Sequence, residues 1–343
     1  MPAAHAGAMA KVGITIATWD YDRVRPLMDG RVRVEGCEVN YVVVNLEECF
    51  HRAWYHQEFD VTEIGLSGYY VAVSRGKGNF GLSPYIAIPV HLSRSFRASA
   101  IYVRTDRGIE KPADLRGKKV GVPEYQITAA VWARGFLSDE FGVRTEQMNW
   151  VQGGMDDPGR KDKWPNNLPE GFPLQSIGPT DTLNRMLEEG TLDAIICPRT
   201  PRAYKARNGS VRRLFEDFEP VERAYYEKTK VFPIMHLVGV RRELHEKHPW
   251  LARNLYQAFC EAKRITQAEL LETAALRVGL PWLVASAERA RAVLGDDIFP
   301  YGYENSLPTL AAMSRYLVEQ SIAVRPVDPE ELFPATTMSD PKT

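Results

Sequence analysis

Alternation along the chain is the constraint that narrows its fold most. Short runs rich in Val, Ile and Thr recur, and each is followed by a glycine- or proline-marked break or by a segment with helical spacing. That pattern predicts an α/β architecture, because strands interleaved with helices bury their apolar faces against one another. Val12 to Ala17, Cys37 to Val44 and Val61 to Leu66 read as strands of a first unit. Between the last two, residues 47–57 place Cys49, Phe50, Ala53 and Trp54 on one helical face. Ser67-Gly68 then opens a further helix through Tyr69 to Val73. At 343 residues the chain is too long for one ordinary core, so two domains are expected.

A second unit begins near Lys111. Lys118 to Val122 reads as a strand ended by Pro123, and Thr128 is placed to cap a helix carrying Val131, Phe136 and Leu137. Trp150 and Val151 begin another strand, and the Gly-, Pro- and Asp-rich stretch 153–173 reads as a long loop. Thr180 or Asp181 caps a short helix that Gly190 closes, and Leu192 to Cys197 is a buried strand broken off by Pro198 and Pro201. The final third is mainly helical. Residues 249–264 line up Leu251, Leu255, Ala258, Phe259 and Ala262, and 286–294 and 307–320 are further helices. The first ten residues and the last dozen, roughly Ala335 to Thr343 and a little before, read as tails.

Charge excludes several functions. A net charge of −1 gives no reason to expect nucleic acid or an anionic membrane as partner. No apolar run approaches the ~20 residues that cross a bilayer. The N-terminus lacks the basic region and continuous apolar run of a secretory signal, so a cytoplasmic location is expected. Cys37, Cys49, Cys197 and Cys260 form no CxxC pair and no zinc-finger spacing, which fits a reducing compartment. There is no HExxH, no P-loop and no GxGxxG. No cofactor is expected, although a divalent metal held by carboxylates and His91 or His236 stays open.

A few residues stand out chemically. His236 follows an apolar run, Phe232-Pro-Ile-Met, where a histidine is either a satisfied structural group or a proton donor working near its ordinary pKa of about 6.5. Glu63 is unusual inside an otherwise apolar strand. Arg94 and Arg97 supply two planar guanidinium forks, which match carboxylates bidentately, and Arg199 ends a strand where it adds a third. Tyr125, Gln126 and Thr128 lie where a strand turns into a helix, and Ser67 lies at a helix start. Both places suit an anion. Trp19 reads either as a stacking platform for an aromatic ring or as core, and Asp20 either as an acceptor or as a helix cap. Cys197 reads as a small buried hydrophobe. His51 and His56, five apart, are expected on different helix faces.

Two stretches, Asp114-Leu-Arg-Gly-Lys-Lys-Val-Gly-Val-Pro123 and Leu183-Asn-Arg-Met-Leu-Glu-Glu-Gly-Thr-Leu-Asp-Ala-Ile-Ile196, resemble the second lobe of type II periplasmic-binding-protein folds. A closer resemblance, to the 4,5-dihydroxyphthalate decarboxylase family, rests on four segments. They are Ala17-Thr-Trp-Asp-Tyr-Asp22; Arg94-Ser-Phe-Arg97 with Ser99-Ala-Ile-Tyr-Val103; Gly121-Val-Pro-Glu-Tyr-Gln126 with Thr128-Ala-Ala130; and Phe232-Pro-Ile-Met-His236. The resemblance implies a two-lobed fold of two mixed sheets flanked by helices, with a hinge and an interlobe cleft. Residues 11–98 and 238–343 would form lobe 1, 104–231 lobe 2, and 99–103 and 232–237 the hinge.

It further implies loss of CO2 from a small hydroxylated aromatic dicarboxylate, with the ring itself as electron sink. His236 would give the proton, Arg97 with Arg94 or Arg199 would hold carboxylates, and Asp20 or Glu63 would accept from a ring hydroxyl. Trp19, Ser67, Ser99, Tyr125, Gln126 and Thr128 would complete the binding surface. Enzymes of this size often assemble as symmetric homo-oligomers. Two other readings share the fold: a solute-binding protein for a small aromatic carboxylate, and a different enzyme.

Overall fold

The computed structural model describes residues 10–160 and 167–341. The chain opens with β1 (Val12–Thr18), α1 (Arg25–Met28), β2 (Cys37–Val43), α2 (Leu46–His51), β3 (Val61–Gly65), α3 (Leu66–Ser74) and β4 (Tyr85–Arg94). It continues through β5 (Ile101–Arg104), β6 (Lys119–Val122), α4 (Thr128–Phe141), β7 (Asn149–Gln152), β8 (Leu174–Ser176), α5 (Leu183–Glu189), β9 (Ala194–Ile196), α6 (Arg202–Lys205), β10 (Val211–Arg213) and α7 (Phe218–Thr229). It ends with β11 (Ile234–Arg241), α8 (Arg242–Lys247), α9 (Leu251–Glu269), α10 (Leu283–Leu294) and α11 (Leu307–Glu319).

Two mixed sheets result, ordered β2-β1-β3-β11-β4 and β10-β5-β9-β6-β7-β8. In the first, β1 runs parallel to β2 and β3 while β11 is antiparallel to β3 and β4. The chain passes between the sheets twice. Ile101–Arg104 pairs within the second sheet and Ile234–Arg241 within the first, so most of the two segments expected as hinge is strand. The crossings themselves are residues 95–100 and 230–233. Ladder hydrogen bonds run almost up to each crossing and leave little chain outside the sheets.

The largest apolar cluster is shared between the two halves. It joins Ile64, Leu66 and Tyr69 to Val103, Val120 and Trp132, and closes over them with Leu310, Tyr316 and Phe333. The contact of α11 with α4 depends on Gly135, where a Cβ would come within 2.3 Å of the Tyr316 ring. Arg134 Nε donates to Gln320 Oε1 at 2.7 Å across the same contact, and Trp132 Nε1 ties α4 to β11 by donating to Ile234 O at 2.8 Å. A second cluster packs Ile16, Val61 and Val238 beneath Leu251, Leu255 and Phe259 of α9, the face read from the sequence. A third gathers Leu183, Leu187, Leu192, Ile195 and Cys197 in the second half.

Several local expectations change. The stretch from Ala335 onward is docked: Thr337 is buried, and Tyr256 of α9 donates to Asp340 Oδ1 at 2.7 Å. Nine of the ten residues of the anticipated N-terminal tail, 1–9, lie outside the described residues, as do 161–166 of the long loop and 342–343 at the C-terminus. The N-cap of α4 is Ile127, not Thr128, and α5 is capped by Thr182 rather than Thr180 or Asp181. Beyond α2 the helix widens into a π turn over Arg52–His56 that ends at Gln57 in the left-handed region. Hydrogen bonding from i to i+5 brings residues five apart onto one side. His51 and His56 therefore share a face after all, with ring centroids 5.4 Å apart.

Candidate functional site

His236 lies in β11, between Gly65 of β3 and Ser93 of β4. Register shifts against β4 occur on both sides of it. Such irregularities re-aim side chains, and β4 is an edge strand, where Pro89 is tolerated. Glu63 sits on β3 two positions from Gly65, on the same sheet face as His236 and within diagonal cross-strand reach. Its side chain is fully buried, yet it is well supplied with donors. His236 Nδ1 lies 2.6 Å from Oε1, the Tyr21 hydroxyl donates to the same oxygen at 2.6 Å, and the Trp19 amide donates to Oε2 at 3.1 Å. A buried carboxylate without such partners would cost several kcal/mol. With Nδ1 engaged, Nε2 is the nitrogen left for the cavity that His236 lines. Phe50 fixes the ring from the side, edge-on at 4.9 Å.

That cavity has a volume of about 300 Å³ and lies between the two sheets. Leu46, Phe50 and Trp54 form an apolar wall from α2 and the π turn, and Ile127 and Ala129 face them from the start of α4. The first amides of α3 and α4 have no intrahelical acceptor by position, and the cavity touches both helix starts, which makes its surroundings favourable to anions. Arg97 lines the floor. Its Nε meets a thioether sulfur, Met235 Sδ, at 3.2 Å rather than a carboxylate. Burial pulls its pKa down to about 10, with the Glu222 carboxylate opposing, so it keeps its charge at neutral pH.

The mouth is built differently. Arg160 contacts Glu124 at 2.7 Å and Glu47 at 3.3 Å, and Arg199 contacts the same Glu47 oxygen at 3.1 Å. Burial works against the Arg160 charge, but Glu124 and Glu47 outweigh it and raise its pKa. Glu47 belongs to α2 of the first sheet's half, whereas Arg160, Arg199 and Glu124 belong to the other, so the two contacts that Glu47 makes span the opening.

The residues singled out from the sequence divide into two groups. His236, Ser67, Arg97, Gln126, Thr128 and Arg199 line the cavity, with Glu63 directly behind His236. Ser67 and Thr128 are occupied with each other. Ser67 Oγ donates to Gln126 O at 2.6 Å, and its amide donates to Thr128 Oγ1 at 3.2 Å, so the pair ties α3 to α4.

Trp19, Asp20, Arg94, Ser99 and Tyr125 lie elsewhere. Trp19 is 40% exposed and offers Glu63 only its backbone amide. Asp20 pairs with Arg25 at the surface. Ser99 spends its amide on Glu222 Oε1 and its carbonyl on Arg213. The Tyr125 ring is buried under Arg134, its hydroxyl 2.9 Å from Thr145 Oγ1. Arg94 turns into the core beneath β4. It donates to Pro300 O at 3.0 Å, Phe232 O at 2.6 Å and Ser306 Oγ at 2.7 Å, and its Nη2 lies 3.1 Å from His91 Nδ1. Burial and the Arg94 charge hold His91 well below the ordinary histidine range. His91 and His236 thus do not share a site. Among the described residues no three His, Cys, Asp or Glu side chains gather as a metal would require. Cys197 is buried, with Sγ donating to Arg199 O at 2.9 Å.

Some cavity residues escaped the sequence reading. The face expected from 47–57 divides: Cys49 and Ala53 enter the core, while Phe50 and Trp54 line the cavity. Glu124 lies inside the quoted segment Gly121 to Gln126, so a signal existed. Arg160, in the long loop, and Glu47 carried none.

No family model matches the chain. A 4,5-dihydroxyphthalate decarboxylase of Comamonas testosteroni is 41% identical over 328 residues, covering 95% of this chain and 97% of that protein. One of Pseudomonas putida is 43% identical over 209 residues, covering 61% of this chain and 79% of its own length. Among solved structures, the periplasmic aliphatic sulphonate binding protein SsuA from Escherichia coli superposes with a TM-score of 0.51 at 14% identity, over 94% of this chain and 97% of that one. The desulfurization enzyme DSZB superposes with 0.50 at 12% identity, over 95% of this chain and 98% of that one. Those identities show the fold alone, the two-lobed binding-protein architecture. A receptor and an enzyme both carry it, so the choice between such roles falls to the site.

Proposed function

Because the chain belongs to the 4,5-dihydroxyphthalate decarboxylase family, we propose that the cavity between its sheets binds 4,5-dihydroxyphthalate and releases CO2, leaving 3,4-dihydroxybenzoate. The protein is a carboxy-lyase. The observation that carries the site assignment is His236, backed at Nδ1 by buried Glu63 and lining the same cavity as Arg97.

The substrate has two equivalent carboxylates, each with a hydroxyl para to the carbon that bears it. Arg97 breaks the equivalence by holding one. Tight ion pairing on the departing group would stabilise the ground state, so Arg97 takes the carboxylate that stays. The other carboxylate lies along the wall of Phe50, Trp54 and Ile127. Low polarity there disfavours the charged carboxylate relative to neutral CO2. Electron density from the para hydroxyl reaches the ring carbon, which takes the proton from His236 Nε2. The C–C bond then breaks, its electron pair returns to the ring, and aromaticity is restored. Glu63 stabilises the imidazolium before transfer and holds the neutral tautomer with its proton on Nδ1 afterwards. The ring stores the electrons, so no organic cofactor takes part in the proposal.

The test is incubation of the protein with 4,5-dihydroxyphthalate in D2O. The expected products are CO2 and 3,4-dihydroxybenzoate carrying deuterium at the vacated carbon. Saturable binding without CO2 would favour a solute-binding role. A cytoplasmic setting belongs to the same reading and is supported by the free thiols of the four cysteines. Among the described residues no helix is long and apolar enough to cross a membrane. Assembly into a homo-oligomer is part of the proposal too, and light scattering measures it.

A further inference from the structure

Tyr21 lies inside the segment Ala17 to Asp22, and its hydroxyl reaches the same Glu63 oxygen that His236 uses, each at 2.6 Å. The tyrosine is held in place. The Arg23 guanidinium lies 4.2 Å from its ring centroid, between it and Phe299 at 4.3 Å, and Arg23 Nε is tied to Leu92 O at 2.9 Å. Ser93, the β4 partner of His236, hydrogen-bonds the Tyr21 hydroxyl as well. Because that hydroxyl spends its proton on Glu63, Ser93 is the donor. A chain of hydrogen bonds therefore runs from Ser93 on the cavity wall through Tyr21 and Glu63 to His236.

Two donors on one carboxylate oxygen compete for its charge. Tyr21 draws density away from the bond to His236 and so weakens the pull of Glu63 on the imidazolium. We propose that Tyr21 is a positioning residue, which orients Glu63 and, by sharing Oε1, weakens the hold of Glu63 on the His236 proton and so eases its transfer. This rests on the assignment of His236 as proton donor. The other charged groups around His236 are Arg97 on the floor, Glu124, Arg160 and Arg199 from the far half, and Glu47 from α2. Arg23 stacks on the Tyr21 ring. Tyr21, by contrast, hydrogen-bonds the Glu63 carboxylate directly.

The experiment is Tyr21→Phe in the full chain, with the His236 imidazole titrated by 15N-resolved NMR and kcat measured against pH. Removing the hydroxyl leaves the whole Glu63 charge to His236, so its midpoint is expected to move up by about one unit. The matching limb of kcat should move with it. KM should stay within about twofold, since Tyr21 is not on the cavity wall. An NMR midpoint that does not move overturns the proposal. A moved midpoint with an unmoved kcat limb upholds the coupling through Tyr21 and instead removes His236 as proton donor. Should Tyr21→Phe fail to fold, Ser93→Ala strips the other hydrogen bond from the tyrosine. It should then shift the NMR midpoint in the same direction by a smaller amount, and no shift would overturn the proposal equally.

Discussion

The floor and the mouth of the cavity are both charged, and they are charged in opposite ways. On the floor, Glu63 is fully buried and meets its donors at 2.6, 2.6 and 3.1 Å. At the mouth, Arg199 and Glu47 keep side-chain exposures of 58% and 50% around a 3.1 Å contact. Water screens the second pair and leaves the first almost untouched. Strands β3 and β11 carry Glu63 and His236, and Arg97 follows directly on β4, whereas a helix end and loops carry the mouth groups. Under the proposed function, this contrast puts bond-breaking on the buried floor and admission of a dianion at the exposed mouth, where the substrate's carboxylate would displace one such as Glu47.

Breaking the floor should do the most damage. His236→Ala is expected to lower kcat by ~10²–10⁴, measured by CO2 release, in a chain that still folds because Tyr21 and the Trp19 amide remain on Glu63. An unaltered kcat would take His236 out of the chemistry. Arg97→Met comes next. Losing a charged hydrogen bond of about 1.5–3 kcal/mol should lower kcat/KM by roughly 10–100-fold, mostly through KM.

The brace that keeps floor and mouth in register is tested by Gly135→Ala. The new methyl meets Tyr316, and overpacking of this kind costs about 1–3 kcal/mol, visible in urea unfolding. Acid probes the core under the floor. His91 stays neutral in the fold, but in the unfolded chain it takes a proton below about pH 6.5. The unfolded state then binds the extra proton, so stability should fall by up to about 1.4 kcal/mol per pH unit as pH drops from 6.5 toward 5. His91→Gln should flatten that slope. Glu47→Gln should have the smallest effect, under about threefold in KM, and the difference should vanish in high salt. A loss of kcat in Glu47→Gln would erase the distinction between floor and mouth.

Arg94 and Arg97 show how much of the site could be read beforehand. Three residues apart, they looked like a matched carboxylate clamp. One ends β4 and turns into the core; the other follows in the crossing and turns to the cavity. Nothing local distinguishes them, because the direction of each depends on the irregular β4–β11 register and on Pro300, Phe232 and Ser306, which are far away in sequence. Tyr125 misled for the same reason: its partners are Thr145 and Arg134. His51 and His56 misled for a local reason, since a π turn is invisible to 3.6-residue spacing. Glu63 and His236 were legible because a carboxylate and an imidazole in apolar strands break the strand pattern, and burial then requires each to have a partner.

What the amino-acid order alone determined is the α/β alternation, the apolar face of α9, the kinship and the short set of polar residues out of place in apolar runs. These are properties of near neighbours along the chain, where periodicity and turn chemistry act. The tertiary structure decided which guanidinium enters the cavity, which half of the molecule the last helix braces, and that Tyr21 shares an oxygen with His236. Those outcomes are set by contacts between strands distant in sequence, and a side chain's direction there follows from register and packing that no local window contains.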